Sequence, residues 1–493
     1  NMLKKVRIAL ATLMFIAAFV LFLDYTGTVH DYLGWVAKVQ FMPAILAMNF
    51  LIVALLVILT LLFGRLYCSV ICPLGIMQDI IAKIGAYNKR RRYRFFYSKG
   101  KNILRIVMML IFIVCMALGV LSIGPLLEPY SIFGRIVNSL FQPLYSWTCN
   151  GLAMLENRFE MYNIYGNEVW LKSGSMLVVA IVSLIAIGYL AWRNGRTYCN
   201  TICPVGTILG FLSKKSLFAI QIDLTKCAHC GMCEKQCKAA CLSSKEKKID
   251  YSRCVVCMDC IDDCKHNAIS YSMRRFSKKE GSPEPKDPEK RAFATTALFV
   301  AGAAVASAQH KTVDGGLATL ENKQVPPRKI TPVPAGAKSI KHLSDHCTAC
   351  QLCVSACPNH VLVPSSELST FMQPRMTFEH GYCRVGCTLC SEVCPNGAIA
   401  KIKREEKTAI KVGHAVWIKE NCIVVDKGQK CGNCAHHCPS HAIEMVPLNG
   451  DEKLKIPVVN AEKCIGCGAC ENLCPSRPIS AIYVEGYDNQ IIS

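Results

Sequence analysis

The chain has 493 residues, long enough for more than one domain, and contains 31 cysteines. Its 52% hydrophobic content is high for a soluble protein, and its net charge of +21 is spread over short basic runs that flank apolar stretches, such as residues 89–94. This distribution favours a membrane protein over a nucleic-acid-binding one. The cysteines recur at regular short spacings, unlike those of small disulfide scaffolds, and therefore indicate metal chemistry.

Four apolar stretches are long enough to cross the ~30 Å hydrocarbon core of a membrane. They cover about residues 7–24, 42–63, 103–124 and 175–192. Basic residues lie before the first stretch, between the second and third, and after the fourth. These positions predict a cytoplasmic N-terminus, because Lys and Arg concentrate on the cytoplasmic side. The segments around 25–41 and 125–172 then face the opposite side.

A fifth, weaker apolar run covers residues 292–308, between two proline-containing linkers. Lys290-Arg291 precedes the run and Ala306-Ser307-Ala308 closes it, which resembles a twin-arginine export signal with Lys in place of the first Arg. An alanine-rich linker helix is the alternative interpretation. If the run spans the membrane, everything after it lies outside the cytoplasm.

A cysteine motif in the membrane part occurs twice. The segment 64–75 reads GRLYCSVICPLG, and segment 195–206 repeats it as GRTYCNTICPVG. Each copy follows two apolar stretches, so we expect four helices arranged as two repeats. The i, i+4 spacing places both thiols of a copy on one helix face. Together, Cys68, Cys72, Cys199 and Cys203 offer four soft ligands for zinc or for a seventh iron–sulfur cluster; redox or structural thiols and a disulfide pair are the alternatives.

Two consecutive C-x2-C-x2-C-x3-C motifs follow the fourth apolar stretch. Their spacing is that of a two-cluster bacterial ferredoxin, in which the fourth cysteine of each motif ligates the other cluster. The predicted ligand sets are Cys227, Cys230, Cys233 and Cys264 for one cluster, and Cys254, Cys257, Cys260 and Cys237 for its neighbour. Lys238 and Lys265 replace the proline that usually follows the fourth cysteine. We expect these cations to raise the reduction potential, because they stabilise the more negative reduced cluster.

Four more motifs lie between residues 347 and 475, and each ends in Cys-Pro. The second has one extra residue in its first gap, and the third has eight residues between its first two cysteines. These departures resemble the electron-transfer subunits of molybdenum oxidoreductases, in which the first motif pairs with the fourth and the second with the third. The resemblance implies four ligand sets: Cys347, Cys350, Cys353 and Cys474; Cys383, Cys387, Cys390 and Cys438; Cys422, Cys431, Cys434 and Cys394; Cys464, Cys467, Cys470 and Cys357.

The motif cysteines outside the membrane part suffice for six [4Fe–4S] clusters, and Cys115, Cys149 and Cys241 are left over. No C-x-x-C-H motif occurs and no histidine lies inside the apolar stretches, so we expect no haem. No dinucleotide fingerprint after a strand and no P-loop is present, so NADH is not an expected direct donor. Electrons must therefore enter through a quinol or through a partner protein.

Residues 1–272 resemble NapH, the quinol dehydrogenase membrane protein of periplasmic nitrate reductase systems. The resemblance rests on four apolar stretches, two C-x3-C-P motifs and a ferredoxin pair; the same membrane module occurs in NosR and in the copper-oxidase accessory protein CcoG. Residues 290–485 resemble NapG, an exported four-cluster ferredoxin. The resemblance implies a quinol dehydrogenase or electron-transfer subunit in the bacterial inner membrane. It would pass electrons between quinone and a periplasmic reductase or cytochrome.

The expected fold is an α-helical membrane bundle with α+β ferredoxin-like domains. We divide it into a membrane domain at 1–215, a cytoplasmic two-cluster domain at 216–272, a linker with the fifth helix at 273–340, and a periplasmic four-cluster domain at 341–493.

Near-membrane candidates for accepting quinol protons are Asp24, His30, Asp31 and Glu128. The two cluster groups would face each other across ~30 Å of hydrocarbon, a gap that quinone or a partner subunit would have to bridge. A larger complex in which this chain has no quinone site, or a metal-centre maturation factor of the CcoG type, are the alternatives.

Overall fold

The computed structural model describes most of the chain. The described residues are 2–24, 28–86, 95, 97–117, 124–158, 172–244, 246, 248–274, 312–314, 318–320, 323–367, 369–448 and 450–492. The predicted fifth helix at 292–308 lies outside them, so its membrane crossing stays a prediction.

The N-terminal part is helical. Its helices are α1 Met2–Leu23, α2 Thr28–Leu33, α3 Trp35–Lys38, α4 Phe41–Leu46, α5 Phe50–Phe63, α6 Tyr67–Val70, α7 Pro73–Ala86, α8 Asn102–Ala117, α9 Gly124–Leu127, α10 Pro129–Ile136, α11 Gln142–Arg158, α12 Gly174–Asn194, α13 Thr197–Thr201 and α14 Pro204–Ser213. A π-helical turn, Val137–Phe141, joins α10 to α11.

Two of the described helices, α1 and α12, are long and apolar enough to cross a membrane; α5, α8 and α14 are shorter. A bundle of four full-length spans is therefore not confirmed. The stretch predicted at 42–63 is divided, because α4 ends at Leu46 and Asn49 starts a new helix by accepting a 3.4 Å hydrogen bond from the Ile52 amide. In the stretch predicted at 103–124, α8 covers residues 102–117.

The outward faces of these helices carry large apolar side chains. Leu13 of α1 is 65% exposed, Leu51 of α5 82%, Ile103 of α8 81% and Ile185 of α12 65%. Monomeric soluble proteins rarely leave apolar faces of this extent uncovered. The faces are compatible with a membrane-associated protein.

Helix α10 lies in the interior of the helical part. Each of its residues from Pro129 to Ile136 is buried. The ring of Phe22, near the end of α1, lies 5.5 Å from the ring of Tyr130 and 6.1 Å from that of Phe133. The end of α1 is therefore held against the middle of the bundle by aromatic packing.

The N-terminal ferredoxin module covers residues 218–273. Its elements are β1 Phe218–Ile222, α15 Met232–Lys235, β2 Leu242–Ser243, β3 Lys248–Ile249, α16 Asp259–Asp262 and β4 Ile269–Met273. β1 pairs antiparallel with β4, from Phe218↔Met273 to Ile222↔Ile269, and β2 pairs with β3. The amide of Leu217, just before β1, donates to the Leu61 carbonyl of α5 at 2.8 Å, which fixes the module at the end of that helix.

The C-terminal ferredoxin module covers residues 323–492. Its elements are α17 Ile340–His346, α18 Leu352–Ser355, β7 Leu362–Pro364, β8 Pro374–Met376, α19 Leu389–Val393, α20 Arg404–Lys407, β9 Ile410–Trp417, α21 Ile423–Asp426, α22 Asn433–His436, β10 Ile443–Leu448, β11 Asp451–Val459, α23 Ala469–Asn472 and β12 Ile482–Ile492; the short pair β5 Thr312–Asp314 and β6 Ala318–Leu320 precedes it. The antiparallel pairs are β7 with β8, β9 with β12, and β10 with β11. The pair β9–β12 joins the middle of the module to its end.

The two modules contact opposite ends of the long apolar helices. Near the start of α1, Lys4 forms ion pairs with Asp259 and Asp262 of the N-terminal module at 3.1 and 3.0 Å. At the start of α12, Met176 packs with Ala349 and Met372 of the C-terminal module. Because α1 and α12 have 22 and 21 residues, they separate the modules by roughly 30 Å at 1.5 Å per residue.

Candidate iron–sulfur sites

The motif cysteines gather into seven groups of four thiols, which we number in the order in which they follow one another through the molecule. Cage 1 is Cys227, Cys230, Cys233 and Cys264; cage 2 is Cys237, Cys254, Cys257 and Cys260; cage 3 is Cys68, Cys72, Cys199 and Cys203; cage 4 is Cys347, Cys350, Cys353 and Cys394; cage 5 is Cys357, Cys383, Cys387 and Cys390; cage 6 is Cys438, Cys464, Cys467 and Cys470; cage 7 is Cys422, Cys431, Cys434 and Cys474.

Cages 1 and 2 contain the cysteine sets that the ferredoxin spacing predicts. All four thiols of cage 1 line one cavity. In cage 2, Cys260 lies near Cys257, Cys237 and Cys254, and also near Cys233 of cage 1. The left-over Cys241 is a buried neighbour of cage 2, with its sulfur 3.6 Å from that of Cys237. Residues 237–241 form no helix, so the spacing of these two cysteines alone did not predict their contact.

The predicted pairing in the C-terminal module is wrong. Cys357 does not join the fourth motif; it lines one cavity with Cys383, Cys387 and Cys390 of the second. Cys394 correspondingly lies beside the first motif, near Cys353. The first motif therefore pairs with the second.

The third and fourth motifs also pair with each other. Cys474 neighbours Cys434 in cage 7, and Cys438 neighbours Cys464 in cage 6. Each pair is thus a local two-cage unit built from motifs adjacent in sequence. Such a pairing closes short loops, which cost less conformational entropy than the long ones that first-with-fourth pairing needs.

The repeated membrane motif folds the same way in both copies. Pro204 opens α14 and the Cys203 thiol caps it by accepting the Gly206 amide at 3.3 Å. In the first copy, Cys72 caps α7 through the Gly75 amide in the same way. A Cβ atom at Gly75 would lie 2.4 Å from the Cys68 carbonyl oxygen, and one at Gly206 2.3 Å from that of Cys199. The closing glycine is therefore required for the turn that brings each cysteine pair inward.

Cage 3 is buried and lined by polar donors. Its four cysteines are each 3–4% exposed. Arg65 donates to the Cys199 carbonyl oxygen at 3.2 Å and lies 3.7 Å from the Cys68 sulfur. In the second copy, Arg196 donates to the Cys68 carbonyl oxygen at 2.6 Å. Each arginine thus crosses to the opposite copy, so the repeat holds the two motifs together.

Buried charges connect cage 3 to cage 2. Arg196 binds the Asp79 carboxylate through two bonds of 2.7 and 2.8 Å, and Lys238, next to Cys237, reaches Asp79 at 3.0 Å and Asp259 at 3.1 Å. Although burial alone would raise the pKa of Asp79, Arg196 and Lys238 hold it well below its usual range. The Lys238 charge is therefore balanced by carboxylates, which weakens its expected effect on the cluster potential. Lys265 is exposed.

Helix α10 connects cage 3 to cage 4. Tyr198, adjacent to Cys199, donates to the Leu127 carbonyl oxygen at 2.8 Å, just before α10. On the other side, the Ser131 hydroxyl donates to the Thr348 carbonyl oxygen at 2.6 Å. A Cβ atom at Gly134 would lie 2.5 Å from the Cys350 carbonyl oxygen. One short helix therefore separates cage 3 from the C-terminal module, so cage 3 and α10 lie within the predicted gap between the two ferredoxin modules.

The remaining cages follow without interruption. Cys353 of cage 4 lies near Cys390 of cage 5. The Cys383 amide of cage 5 donates to the Cys467 carbonyl oxygen of cage 6 at 2.9 Å. Cys470 of cage 6 lies near Cys434 of cage 7. The cages form one series from the N-terminal module to the far end of the C-terminal module.

The cages fit a four-iron cluster better than a single ion. Among the described residues, no three His, Cys, Asp or Glu side chains are grouped closely enough to hold one metal ion. A zinc ion binds its sulfurs at about 2.3 Å from a single centre, whereas the four thiols of cage 1, and likewise those of cage 5, stand around a shared cavity. When bound, such clusters accept and release single electrons.

The four predicted proton acceptors occupy different environments. Glu128 caps α10 by accepting the Ser131 amide and is buried, so its role is structural. Asp24 accepts the Val29 amide at 2.9 Å, and Asp31 lies on the exposed face of α2. His30 is largely buried; burial lowers its pKa to about 4, and Glu392 of the C-terminal module is one of its neighbours. Among the described residues, neither ring nitrogen of His30 has a hydrogen-bond partner.

A cavity that sequence reasoning missed lies beside cages 2 and 3. It has a volume of about 440 Å³. Asn200, Thr201 and Ile202, which lie between the two cysteines of the second copy, form one wall, and Ala239 and Ala240, between Cys237 and Cys241, form another. The remaining lining is Phe95, Tyr97, Ser98, Lys99, Lys101, Leu104, Asn194, Thr197 and Arg253. These residues come from segments that adjoin one another only in the folded chain, so no local pattern reveals the cavity.

Family models match two parts of the chain. A model described as a 4Fe-4S binding domain matches residues 45–93 and 175–222, which contain the two C-x3-C-P motifs. A model described as a 4Fe-4S dicluster domain matches residues 346–398 and 427–477. The two dicluster matches agree with the pairing of neighbouring motifs that the structure shows. No solved structure matches the chain.

Curated relatives are ferredoxin-type proteins. The methylamine utilization ferredoxin-type protein MauM of Methylophilus methylotrophus is 29% identical over 27% of this chain and 61% of its own length. The ferredoxin-type protein NapG of Haemophilus influenzae is 28% identical over 39% of this chain and 71% of its own. The ferredoxin-type protein NapH of Escherichia coli is 27% identical over 37% and 51%. The chain thus spans between half and three quarters of these relatives. These matches support an iron–sulfur electron-transfer protein that is similar to the NapH and NapG proteins.

Proposed function

We propose that the chain passes electrons between the quinone pool and a redox partner, along the seven cages in the order given. The observation that carries this proposal is the continuity of the series, in which cage 3 and helix α10 lie between the two ferredoxin modules. Biological electron transfer needs short separations between centres, and the chain keeps neighbouring cages in contact through single side chains or one helix. A periplasmic reductase or cytochrome is the proposed partner at the C-terminal module.

We further propose that six cages hold [4Fe–4S] clusters and that cage 3 holds a seventh iron–sulfur centre. Four buried thiols beside Arg65 and Arg196 suit an anionic group, because a bound cluster with four thiolates carries net negative charge and the guanidinium groups offset it. The match of the 4Fe-4S binding model to both membrane motifs supports this assignment. The seven groups would be ligated as the cages define them.

The cavity beside cages 2 and 3 is the proposed quinone site. Its volume suffices for a quinone ring with part of its tail. Phe95, Tyr97 and Leu104 offer apolar packing, and Lys99 and Lys101 offer donors to the quinone oxygens. The cavity lies between the beginning of α8 and the end of α12, so a lipid-soluble molecule would enter from between the two helices. Basic residues at this end favour a cytoplasmic location of the N-terminal module.

The experiment is anaerobic reduction of the purified full-length chain by a quinol, followed by EPR of the clusters. We expect the clusters of both modules to become reduced. In the double variant Cys68→Ser/Cys199→Ser, the signals of cages 1 and 2 should still appear, while those of cages 4 to 7 should appear only with dithionite, which reduces them directly. Equal reduction of all cages in the variant would contradict a path through cage 3.

The quinone site is tested separately with Thr201→Phe, which fills the cavity next to cage 3. Quinol-dependent reduction should slow at least tenfold, while reduction by dithionite stays unchanged. If no quinol reduces the wild-type chain, the chain is an electron-transfer subunit that receives electrons from another protein, and co-purification with that protein should reveal it.

A further inference from the structure

Lys407 is an unusual residue beside cage 5. It is the last residue of α20 and only 8% exposed. Its ammonium group donates to the Cys383 sulfur at 3.2 Å, to the Arg384 carbonyl oxygen at 2.7 Å and to the Cys387 carbonyl oxygen. A long charged side chain is thus held in one position against the cage.

The charge of Lys407 has no carboxylate to balance it. Among the described residues, no Asp or Glu forms an ion pair with it; Glu406, its neighbour in sequence, instead accepts the Lys403 amide at 2.9 Å. A buried unpaired ammonium group is costly, since it loses the solvation of water without gaining an anion. A cluster held by the four thiols of cage 5 would place negative charge within hydrogen-bond distance of this ammonium group, at the Cys383 sulfur.

The same contact explains an irregularity of the sequence. The second C-terminal motif has three residues, not two, between Cys383 and Cys387. The longer turn presents the carbonyl oxygens of Arg384 and Cys387 on the side where Lys407 lies. In cage 4, by comparison, the Cys347 sulfur accepts from the neutral backbone amide of Ala349 at 3.4 Å.

We propose that Lys407 raises the reduction potential of the cluster in cage 5 above that of its neighbour in cage 4, so that cage 5 retains electrons within the C-terminal module. The inference rests on the proposed occupancy of cage 5. Reduction adds one negative charge to a cluster, and a donating cation stabilises that charge more than a neutral amide does. Lys407 acts as a positioning and tuning residue, through the sulfur of a ligand.

The test is an EPR-monitored redox titration of the full-length chain and of the Lys407→Met variant. The variant removes a charge-assisted hydrogen bond to a ligand sulfur, and such bonds are stronger than neutral ones. The equilibrium between oxidised and reduced cage 5 should therefore shift at least tenfold towards the oxidised form. A tenfold shift corresponds to about 59 mV for one electron. One midpoint potential should fall by this amount and the others should stay in place. Lys407→Arg, which keeps the charge, should restore most of the potential.

Two variants separate this effect from others. Lys403→Met removes an exposed charge of the same helix region and should leave every midpoint unchanged; an equal shift there would overturn the proposal by showing a general charge effect. If Lys407→Met loses iron, Lys407→Gln keeps an amide donor without the charge and should still show the lowered midpoint. Unchanged midpoints in Lys407→Gln would likewise overturn it. Wild-type iron content and quinol reduction test the proposed function independently of these shifts.

Discussion

The helical part joins its two ferredoxin modules by different chemistry. The first junction, with the N-terminal module, is ionic: Lys4 pairs with Asp259 and Asp262, and Asp79 binds Arg196 and Lys238. The second junction, with the C-terminal module, is largely uncharged. Ser131 donates to Thr348, Asn138 to Gln351 at 3.0 Å, and Gln142 to Ser355 at 3.2 Å.

The difference shows two ways to place a cage close to cage 3. At the first junction, buried carboxylates and cations hold the modules in register, and their charges must match. At the second junction, close packing holds the module in register instead. Gly134 has no side chain, so the backbone at Cys350 can lie directly on α10. We therefore expect charge changes to damage the first junction and volume changes to damage the second.

The largest expected effect comes from Asp79→Asn. The amide has the same shape, so the variant removes only the charge and leaves Arg196 and Lys238 without their shared anion. Breaking a buried ion pair costs about 3–5 kcal/mol. Thermal unfolding in detergent should show this loss. In the control Asp223→Asn, whose exposed pair with Lys226 spans 3.8 Å, stability should stay nearly unchanged, because surface ion pairs contribute little. Equal losses in the two variants would mean that the first junction does not depend on charge.

Gly134→Ala tests the second junction. The added methyl group would overlap the Cys350 carbonyl oxygen and the Phe22 ring, 2.5 and 2.7 Å away. Overpacking of this kind costs about 1–3 kcal/mol, and hydrogen exchange should rise in α10 and in residues 347–357. Gly151→Ala is the matched control, because no atom lies within 4 Å of its added methyl group. Unchanged exchange in Gly134→Ala would show that close approach at this junction is not required.

Lys172 is the charged exception at the second junction. Its ammonium group donates to the Val354 carbonyl oxygen at 3.1 Å and to Gln142 at 2.9 Å, and burial lowers its pKa to about 8. Thermal unfolding of Lys172→Met at pH 7 should show little net loss of stability, because the variant removes a buried charge that opposes folding together with the donor that these acceptors use.

The pH dependence of Lys172 gives a second measurement. Between about pH 8 and 10.5 the unfolded chain binds more protons at this residue than the folded chain, so the free energy of unfolding should rise with pH. The Lys172→Met variant should lack this rise. A rise of the same size in the variant would assign the pH dependence to another group.

The sequence predicted what is local in this protein. Fixed spacing within a motif identified the cysteines, and the repeat of Gly, Arg, Tyr and Cys-Pro anticipated the matching turns around Cys68 and Cys199. It did not reveal which motifs pair in the C-terminal module, because the same spacing is compatible with several partners for Cys357. The transferred pairing failed since it came from a resemblance and not from a contact.

The sequence also could not place the cages along a path. The sequence placed the segment 125–172 on the far side of the membrane, so no part of it was expected within the ~30 Å gap between the cluster groups. Instead α10, which Glu128 caps, lies buried in the interior of the helical part. Because the C-terminal module packs against α10, this module lies close to cage 3. Hydropathy does not report this, because α10 is too short to resemble a span. The contact of Lys407 with Cys383 is equally hidden, since 24 residues separate them.

The smallest expected effect concerns His30, which lies near Glu392 of the C-terminal module, with Asp24, Asp31 and Lys38 as its other charged neighbours. Its folded pKa of about 4 lies below the unfolded value of 6.5, so between these values the unfolded chain binds more protons. Stability should therefore fall as the pH falls from 6.5 to 4. His30→Gln should change little at pH 7 but be more stable than wild type by about 1 kcal/mol at pH 5. Melting temperatures at the two pH values measure this, with the exposed His266→Gln as control. If His30→Gln and wild type lose the same stability on acidification, protonation of His30 does not change the stability of the second junction.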